Sequence, residues 1–365
     1  MSPLYREVVA ASAGDELRPV NAPHPWETAE LLRRLELSDV GSATLDGLQV
    51  TVEQLCCDYS QRPADELRHE SQRWLSTVAT LLRGGVGLRA HRELMVSAGW
   101  LALLVGCVEY DLGMVAAAES TRRAAAGLGR ESDHAQIVAW SHEMSAWFAV
   151  TQGRFRESLD HARAGQEAAP SDPVSVQLGW QEAKALARFG EVRKVADVLD
   201  RGYAVLDKLP RPRRPDNHFV IDPGKWDLYA MDCYRMAGLD DLAAEHARIV
   251  IDHHVRNRPA GVQRAPMRVA EARLTLGVVA ARRGEAEEAV NLGHQAFATA
   301  RKSLPSLLSC AAELDRELIA SAADSDNTRE FRDEMRRLQA SRSGFAADMP
   351  PGATSGTKLP PAARP

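Results

Sequence analysis

The spacing of hydrophobic positions along the chain predicts pairs of helices separated by short glycine turns. The clearest pair covers residues 267–301. In its first half, Leu274, Val279 and Ala280 recur on one face of a helix, and Gly284 then ends that helix. A second helix is predicted over residues 285–300. The segment is therefore expected to form one complete helical hairpin.

Small residues in this hairpin stand where two helices must approach closely. They match the small-residue positions of the tetratricopeptide repeat: Gly277, Gly284, Ala289 and Ala296. Similar turns recur upstream, so that successive turn glycines Gly113, Gly153, Gly190, Gly238 and Gly284 lie 40, 37, 48 and 46 residues apart. These gaps exceed the ideal repeat of about 34 residues. The predicted fold is all-α, a degenerate tetratricopeptide-like α-solenoid of antiparallel helical hairpins.

The pattern also divides the chain into regions. We predict a loose leader over 1–24, an N-terminal helical region over 25–98, repeats with closing helices over 99–342, and a disordered tail over 343–365. Within the repeats, the Pro-rich segment Leu209–Gly224 is too long for a hairpin turn. It either loops out or caps a groove.

Composition places this array among soluble helical proteins. The chain has 365 residues, of which 45% are hydrophobic and 26% charged, and repeat arrays grow without splitting into domains. The five cysteines lie in helical patterns with no C-x-x-C pair, so they are interpreted as buried or incidental thiols. No apolar run approaches the length of a membrane span. We therefore expect a cytoplasmic protein that does not enter a membrane.

The distribution of charge argues against nucleic acid as a direct partner. The formal net charge is −5. A possible recognition helix over residues 42–59 carries Asp46, Glu53 and Asp58 and no Lys or Arg, so it would repel phosphates. No direct DNA binding is expected from this chain alone.

The first helix of each hairpin is expected to line a concave groove. Counting from the turn glycines places ten residues there: Trp140, Glu143, Trp147, Trp180, Gln181, Lys184, Arg188, Tyr229, Asp232 and Arg235. The last hairpin would add Glu271, Thr275 and Arg282. Aromatic rings beside amide and guanidinium groups suit a peptide, and Arg188 with Arg235 would hold its carboxylate. Alternatively, the tryptophans form the core between repeats.

Motifs for catalysis or metal binding do not emerge from the sequence. The eleven histidines show no H-E-x-x-H or Cys/His ligand spacing, and the serines lack the G-x-S-x-G context. Asp240 and Asp241 follow a turn glycine, where carboxylates stabilise a helix N-terminus. We expect neither a metal, nor a cofactor, nor an enzymatic activity.

Four segments carry a resemblance to a known family. They are HPWETAELLRRLELSDVGSATLDGL (24–48), IDPGKWDLYAMDCYRMAGLDDLAAEHAR (221–248), APMRVAEARLTLGVVAARRG (265–284) and SLPSLLSCAAELDREL (303–318). The chain resembles the tetratricopeptide-like sensor region of large bacterial Xre-type transcriptional regulators, in which a DNA-binding helix-turn-helix domain precedes this region. That domain is missing here.

This resemblance implies a sensing or docking function. The chain would be a non-enzymatic regulatory module that binds a peptide or protein partner in transcriptional regulation. Two alternatives remain open: a protein–protein scaffold with no small ligand, and the truncated sensor half of a DNA-binding regulator. A homodimer is compatible with any of them.

Overall fold

The computed structural model describes residues 40–222, 224–255, 265–322 and 325–347. The chain divides into two compact units, residues 1–51 and 52–365. In the first unit the described part is one turn and the start of a helix at Ser42. The predicted leader over 1–24 and the predicted helix at Pro25 lie outside the described residues.

Fourteen α-helices and no strand occur in the described ranges. They are α1 (Ser42–Asp58), α2 (Ala64–Leu82), α3 (Leu88–Asp111), α4 (Val115–Glu131), α5 (Ala135–Thr151), α6 (Phe155–Ala168), α7 (Val174–Arg188), α8 (Val192–Leu206), α9 (Gly224–Ala237), α10 (Asp240–Val255), α11 (Pro266–Arg282), α12 (Ala286–Phe297), α13 (Leu304–Ala322) and α14 (Asp326–Ala347). Consecutive helices pack in pairs. The predicted all-α array of helical hairpins is confirmed.

Each predicted turn glycine has the backbone conformation that requires glycine. The φ angles of Gly113, Gly153, Gly190, Gly238 and Gly284 lie between 74° and 81°. The residue after each one donates its N–H to the carbonyl five positions earlier, as Arg154 does to Ala149 at 2.8 Å. This is the Schellman ending of a helix, and a side chain at the glycine position would strain it.

One further turn uses the same geometry without glycine. Asp133, between α4 and α5, has φ 51°, and His134 donates its N–H to the carbonyl of Gly129 at 2.8 Å. Aspartate tolerates the left-handed conformation better than most residues. The pattern of turn glycines does not predict this turn, because Asp133 stands at the glycine position.

The small residues of the 267–301 hairpin occupy the close contacts predicted for them. Ala289 and Ala296 are fully buried. A Cβ added to Gly277 would lie 3.1 Å from the carbonyl oxygen of Ala289. Therefore α11 and α12 approach at a distance that leaves no room for a larger side chain.

Helix α3 departs from the expectation about apolar runs. Within the described residues it alone is long and apolar enough to pass for a membrane span, but 72% of its most apolar window is buried. It packs against α2, α4 and α5. The expectation that no run reaches spanning length is wrong, because α3 is a central core helix covered on several sides.

Two predicted boundaries do not coincide with helix ends. The boundary between residues 98 and 99 falls inside α3. Helix α14 continues to Ala347, so residues 343–347 of the predicted disordered tail are helical. The first proline of the predicted tail is Pro350, beyond this helix. Composition alone therefore placed the start of the tail too early.

The five cysteines are free and buried, as predicted for structural thiols. Burial raises the pKa of Cys233 and of Cys310 to about 12. These thiols stay protonated near neutral pH. A thiol that does not ionise is a poor nucleophile, so these two side chains act as small packing groups.

Candidate ligand-binding cavity

The second unit contains a cavity of about 500 Å³. Its walls come from α5, α7, α9 and α11, the first helices of four successive hairpins, together with α13 and the loop over 207–222. Seven of the ten predicted groove residues line it: Glu143, Trp147, Gln181, Lys184, Tyr229, Asp232 and Arg235. Counting from the turn glycines thus selected the helices and most of the side chains around this space.

The cavity is more enclosed than the open groove that the repeat pattern predicts. Helix α13 lies across from α5, where Trp147 Nε1 donates a hydrogen bond to Ser306 Oγ at 2.9 Å. On another side, the His218 N–H donates to the carbonyl of Cys56 at 3.1 Å, and its ring packs 3.9 Å from the Tyr59 ring. The Pro-rich loop therefore caps the space, which was one of its two predicted arrangements.

Two predicted groove tryptophans belong to the core instead. Trp140 is 1% exposed and Trp180 is 0% exposed, and neither lines the cavity. The Trp180 ring packs 4.9 Å from Tyr229, and a Cβ on Gly202 would lie only 2.7 Å from its Nε1 atom. Their assignment to a ligand groove is therefore wrong. The alternative of a core between repeats describes both rings.

Arg188 and Arg235 are not free to bind a peptide carboxylate. Glu313 of α13 forms ion pairs with both guanidinium groups. Arg188 lies outside the cavity lining, and Arg235 also donates to Asp232 Oδ1 at 3.0 Å. Burial alone would raise the pKa of Glu313, but Arg235 and Arg188 hold it below its usual value. The predicted carboxylate clamp is occupied by the protein itself.

Of the three residues that the last hairpin was expected to add to the groove, only one lines the cavity. Glu271 lines the cavity, whereas Thr275 and Arg282 do not. Thr275 is fully buried and accepts a hydrogen bond from Arg235 at 3.2 Å. Arg282 forms ion pairs outside the cavity, one of them with Asp240 at 2.7 Å.

A compact ion pair forms one edge of the cavity. Lys184 Nζ donates to Asp232 Oδ2 at 2.6 Å, and the same nitrogen lies 4.5 Å from the centre of the Tyr229 ring. Burial would raise the pKa of Asp232, but Lys184 and Arg235 lower it. Asp232 therefore neutralises two cations from neighbouring helices.

Glu143 accepts hydrogen bonds from three neutral side chains in the cavity wall. Its Oε1 accepts from Gln177 at 2.9 Å, from Gln181 at 2.8 Å and from the Tyr229 hydroxyl at 3.3 Å. Three donors from α7 and α9 therefore meet on one carboxylate oxygen of α5. Such a network fixes the orientation of the cavity's polar side chains.

Sequence analysis missed Lys225, which belongs to the same network. Its Nζ donates to Gln177 Oε1 at 3.0 Å and to the carbonyl of His218 at 2.8 Å. Burial, with Arg268 nearby, lowers its pKa to about 8. The available signal was its position four residues before Tyr229, which places both on one face of α9.

Two acceptors in the cavity wall lack a donor within the described part of the chain. The Glu271 carboxylate has no hydrogen bond or ion pair with any described residue. The Oε1 atom of Gln181 is buried and has no partner. Burial and the charge of Asp232 raise the pKa of Glu271 to about 8. Its neutral form is therefore favoured at pH 7 in the free protein.

The described residues contain no group of three or more His, Cys, Asp or Glu side chains placed to hold a metal ion. A scan against protein-family models finds no match for the sequence, and a search of the curated proteins finds no significantly similar one.

Proposed function

We propose that this chain is a non-enzymatic helical-repeat protein that binds a short segment of a peptide or partner protein in the cavity. The main support is the cavity itself, about 500 Å³ in volume and lined by four successive hairpins. Ligand sites in proteins typically measure roughly 300–1,000 Å³. The space suits a few residues of a peptide, not a folded domain.

The chemistry of the walls supports a peptide-like ligand. Trp147 and Tyr229 provide aromatic surface for apolar side chains. Gln181 and Glu271 provide acceptors for N–H groups. A peptide presents apolar groups and hydrogen-bond donors at short intervals, so it can use both kinds of surface.

Two carboxylates of the walls, Asp232 and Glu143, are engaged by the protein itself, which favours binding over catalysis by these two groups. Acid–base chemistry needs a titrating group within reach of a reactive partner. Here Asp232 is tied to Lys184 and Arg235, and Glu143 accepts three hydrogen bonds from neutral groups. These carboxylates hold the walls in place.

A regulatory role follows if binding changes how the helices around the cavity are arranged. A ligand that touches both α5 and α13 would favour whichever spacing it fits best, and so shift the population between arrangements. The connection to gene control rests on the resemblance to Xre-type regulators. The partner that reads the change would dock on the outside of the array.

Affinity selection with synthetic peptides tests this proposal. The full chain is incubated with hexapeptide pools, and bound peptides are recovered by size exclusion, identified by mass spectrometry and measured by calorimetry. Ser309 lines the cavity on α13, so Ser309→Trp is expected to fill the space and weaken the recovered peptides at least about tenfold.

The matched control is Ser321→Trp, an exposed position on the same helix. It should bind like the wild type. Recovery of no peptide from any pool, or unchanged affinity in a folded Ser309→Trp variant, would contradict the proposal.

A further inference from the structure

We infer that the cavity selects a ligand with a cationic N–H donor, an ammonium or guanidinium group, and that Glu271 is its counter-ion. The inference rests on the proposed function and makes it more specific. In a peptide, the group would be a lysine or arginine side chain or a free N-terminus. A free amine or guanidine of small size presents the same chemistry.

Three cationic side chains on the helical walls already form ion pairs with carboxylates of the protein. Lys184 pairs with Asp232, and Arg235 pairs with Asp232 and Glu313. Arg268 pairs with Asp222 at 3.0 Å. A negatively charged ligand group would have to displace one of these internal carboxylates.

Lys225 is the remaining lysine on the helical walls, and Arg211 lines the cavity from the loop. Lys225 has no carboxylate of a described residue within ion-pair distance, but its ammonium donates to Gln177 Oε1 and to the carbonyl of His218, and it lies 5.3 Å from the centre of the Trp140 ring. Its hydrogen bonds and this ring hold it against the wall. An anion is therefore a poor match for the helical surface of the cavity.

The polar atoms of the cavity wall that lack a partner among the described residues include two hydrogen-bond acceptors. Glu143, Asp222 and Asp232 each receive hydrogen bonds from the protein. Glu271 receives none from the described residues, and the Oε1 atom of Gln181 is buried without a donor. The Gln181 oxygen is a buried acceptor without a donor, which is costly, and a ligand N–H group would remove that cost. Glu271 is half-buried, so part of its side chain is open to a ligand.

Other side chains connect the two open acceptors. The Gln181 amide donates to the Glu143 oxygen that also accepts the Tyr229 hydroxyl, and the charge of Glu271 acts on that same hydroxyl. Both acceptors and the Tyr229 side chain line the same cavity. An ammonium or guanidinium carries several N–H groups, so one group can serve more than one acceptor.

The charges around Glu271 determine how binding depends on pH. The titratable and charged groups that face it or share its cavity are Asp111 on α3, Glu143 on α5, Lys184 on α7, Lys225, Tyr229, Asp232 and Arg235 on α9, His253 and His254 on α10, Arg268 on α11 and Cys310 on α13, with Tyr59, Arg211, Asp216, His218 and Asp222 on the connecting segments. In the free protein the carboxyl titrates at about pH 8. A cation stabilises the carboxylate, so its binding at pH 7 should release a proton.

The test uses five pools of N-acetylated, C-amidated hexapeptides that differ in one fixed residue: lysine, arginine, glutamine, glutamate or norleucine. Agmatine is measured beside them as a free guanidine. Lysine or arginine pools should bind at least about tenfold more tightly than norleucine pools, the scale of a hydrogen-bonded charge. Between pH 6 and pH 7 their affinity should rise about tenfold, because one proton must leave Glu271.

Glu271→Gln should remove both the preference for the cation and the dependence on pH, since the amide cannot ionise. Glu287→Gln, at an exposed position of the same hairpin, should change neither. Calorimetry at pH 7 in buffers of different ionisation enthalpy should detect the released proton in the wild type and not in Glu271→Gln.

The outcomes separate this inference from the proposed function. If norleucine or glutamine pools bind as tightly as lysine pools, and Ser309→Trp still blocks them, the cavity binds peptides and the cation inference is wrong. The inference is also wrong if glutamate pools bind most tightly, or if Glu271→Gln keeps the cation preference. If agmatine binds and no peptide does, Glu271 remains the counter-ion, and the cationic ligand is a small amine or guanidine and not a peptide.

Discussion

Trp147 and Ser306 are 159 positions apart in the sequence, and a hydrogen bond of 2.9 Å joins them in the wall of the cavity. A second long-range contact lies nearby, where Arg301 pairs with Asp111 at 2.7 Å. Both contacts connect the segment at the start of α13 to early helices of the array. They explain why the first helices of the hairpins enclose a cavity where the repeat pattern alone predicts an open groove.

Arg301→Met should destabilise the fold strongly. Arg301 and Asp111 are both buried, and Arg301 also donates to the carbonyl of Tyr59 at 3.2 Å. Removing the cation leaves the Asp111 carboxylate buried without its partner, which typically costs about 3–5 kcal/mol. Chemical denaturation measures the loss.

Arg316→Met, at an exposed position of α13, is the control and should change stability by less than about 0.5 kcal/mol. Similar small effects for both variants would show that the Arg301 contact contributes little.

Trp180→Ala should reduce stability without acting through the ligand. The side chain is fully buried and lies outside the cavity lining, so truncation leaves a void in the core. Losses of roughly 3–5 kcal/mol are typical of such changes. Trp226→Ala is a useful comparison because Trp226 is only partly buried on the next hairpin. A smaller loss is expected there by thermal melting. An equal or larger loss at Trp226 would contradict the assignment of Trp180 to the core.

Replacing glycine with alanine should have opposite effects on stability in a turn and inside a helix. Gly190→Ala places a Cβ on a residue with φ 75°, which should cost about 1–2 kcal/mol. Gly127 lies inside α4, and a Cβ there would meet nothing within 4 Å. Gly127→Ala should therefore stabilise the helix by roughly 0.5–1 kcal/mol. Denaturant midpoints of the two variants measure the difference. Stabilisation by Gly190→Ala would mean that this turn does not need a left-handed residue.

These turns also show why so much of the fold could be predicted. Glycine at a Schellman ending has a local cause, and the helices between turns show their period within one or two turns of sequence. For that reason α6 (Phe155–Ala168), α7 (Val174–Arg188) and α8 (Val192–Leu206) lie around the turns predicted at Gly153 and Gly190. Local signals were sufficient for the hairpins.

The site was only partly predictable because its details depend on distant residues. Arg188 and Arg235 were expected to face a ligand, but Glu313 pairs with them from 125 and 78 positions away. Trp140 and Trp147 lie on the same helix. Phe219 from the loop packs 5.2 Å from the Trp140 ring, while Trp147 lines the cavity. No local pattern identifies which ring a remote loop will cover.

The pH dependence of stability should reveal two groups of the cavity, Glu271 and Lys225, whose pKa values are both shifted to about 8. Between about pH 4.5 and pH 8, Glu271 keeps a proton in the folded state that the unfolded chain has released. Raising the pH over that window therefore lowers the free energy of unfolding. Between about pH 8 and pH 10.5 the unfolded chain keeps a proton on Lys225 that the folded state has lost, so raising the pH increases that free energy. Together they contribute least to stability near pH 8.

Substitutions of Glu271 and Lys225 separate their contributions to the pH dependence of stability. The stability of Glu271→Gln relative to wild type should grow between pH 5 and pH 8, by an amount on the order of a few kcal/mol, since each pKa unit corresponds to about 1.4 kcal/mol. Lys225→Met should remove the rise above pH 8 and keep the fall below it. Glu287→Gln, whose side chain is exposed, should follow the wild type throughout. Urea unfolding at several pH values gives these curves.

If the wild-type and Glu271→Gln curves stay parallel from pH 5 to pH 8, Glu271 ionises at its ordinary pH in the folded protein. In that case the proton release expected on cation binding would not occur either.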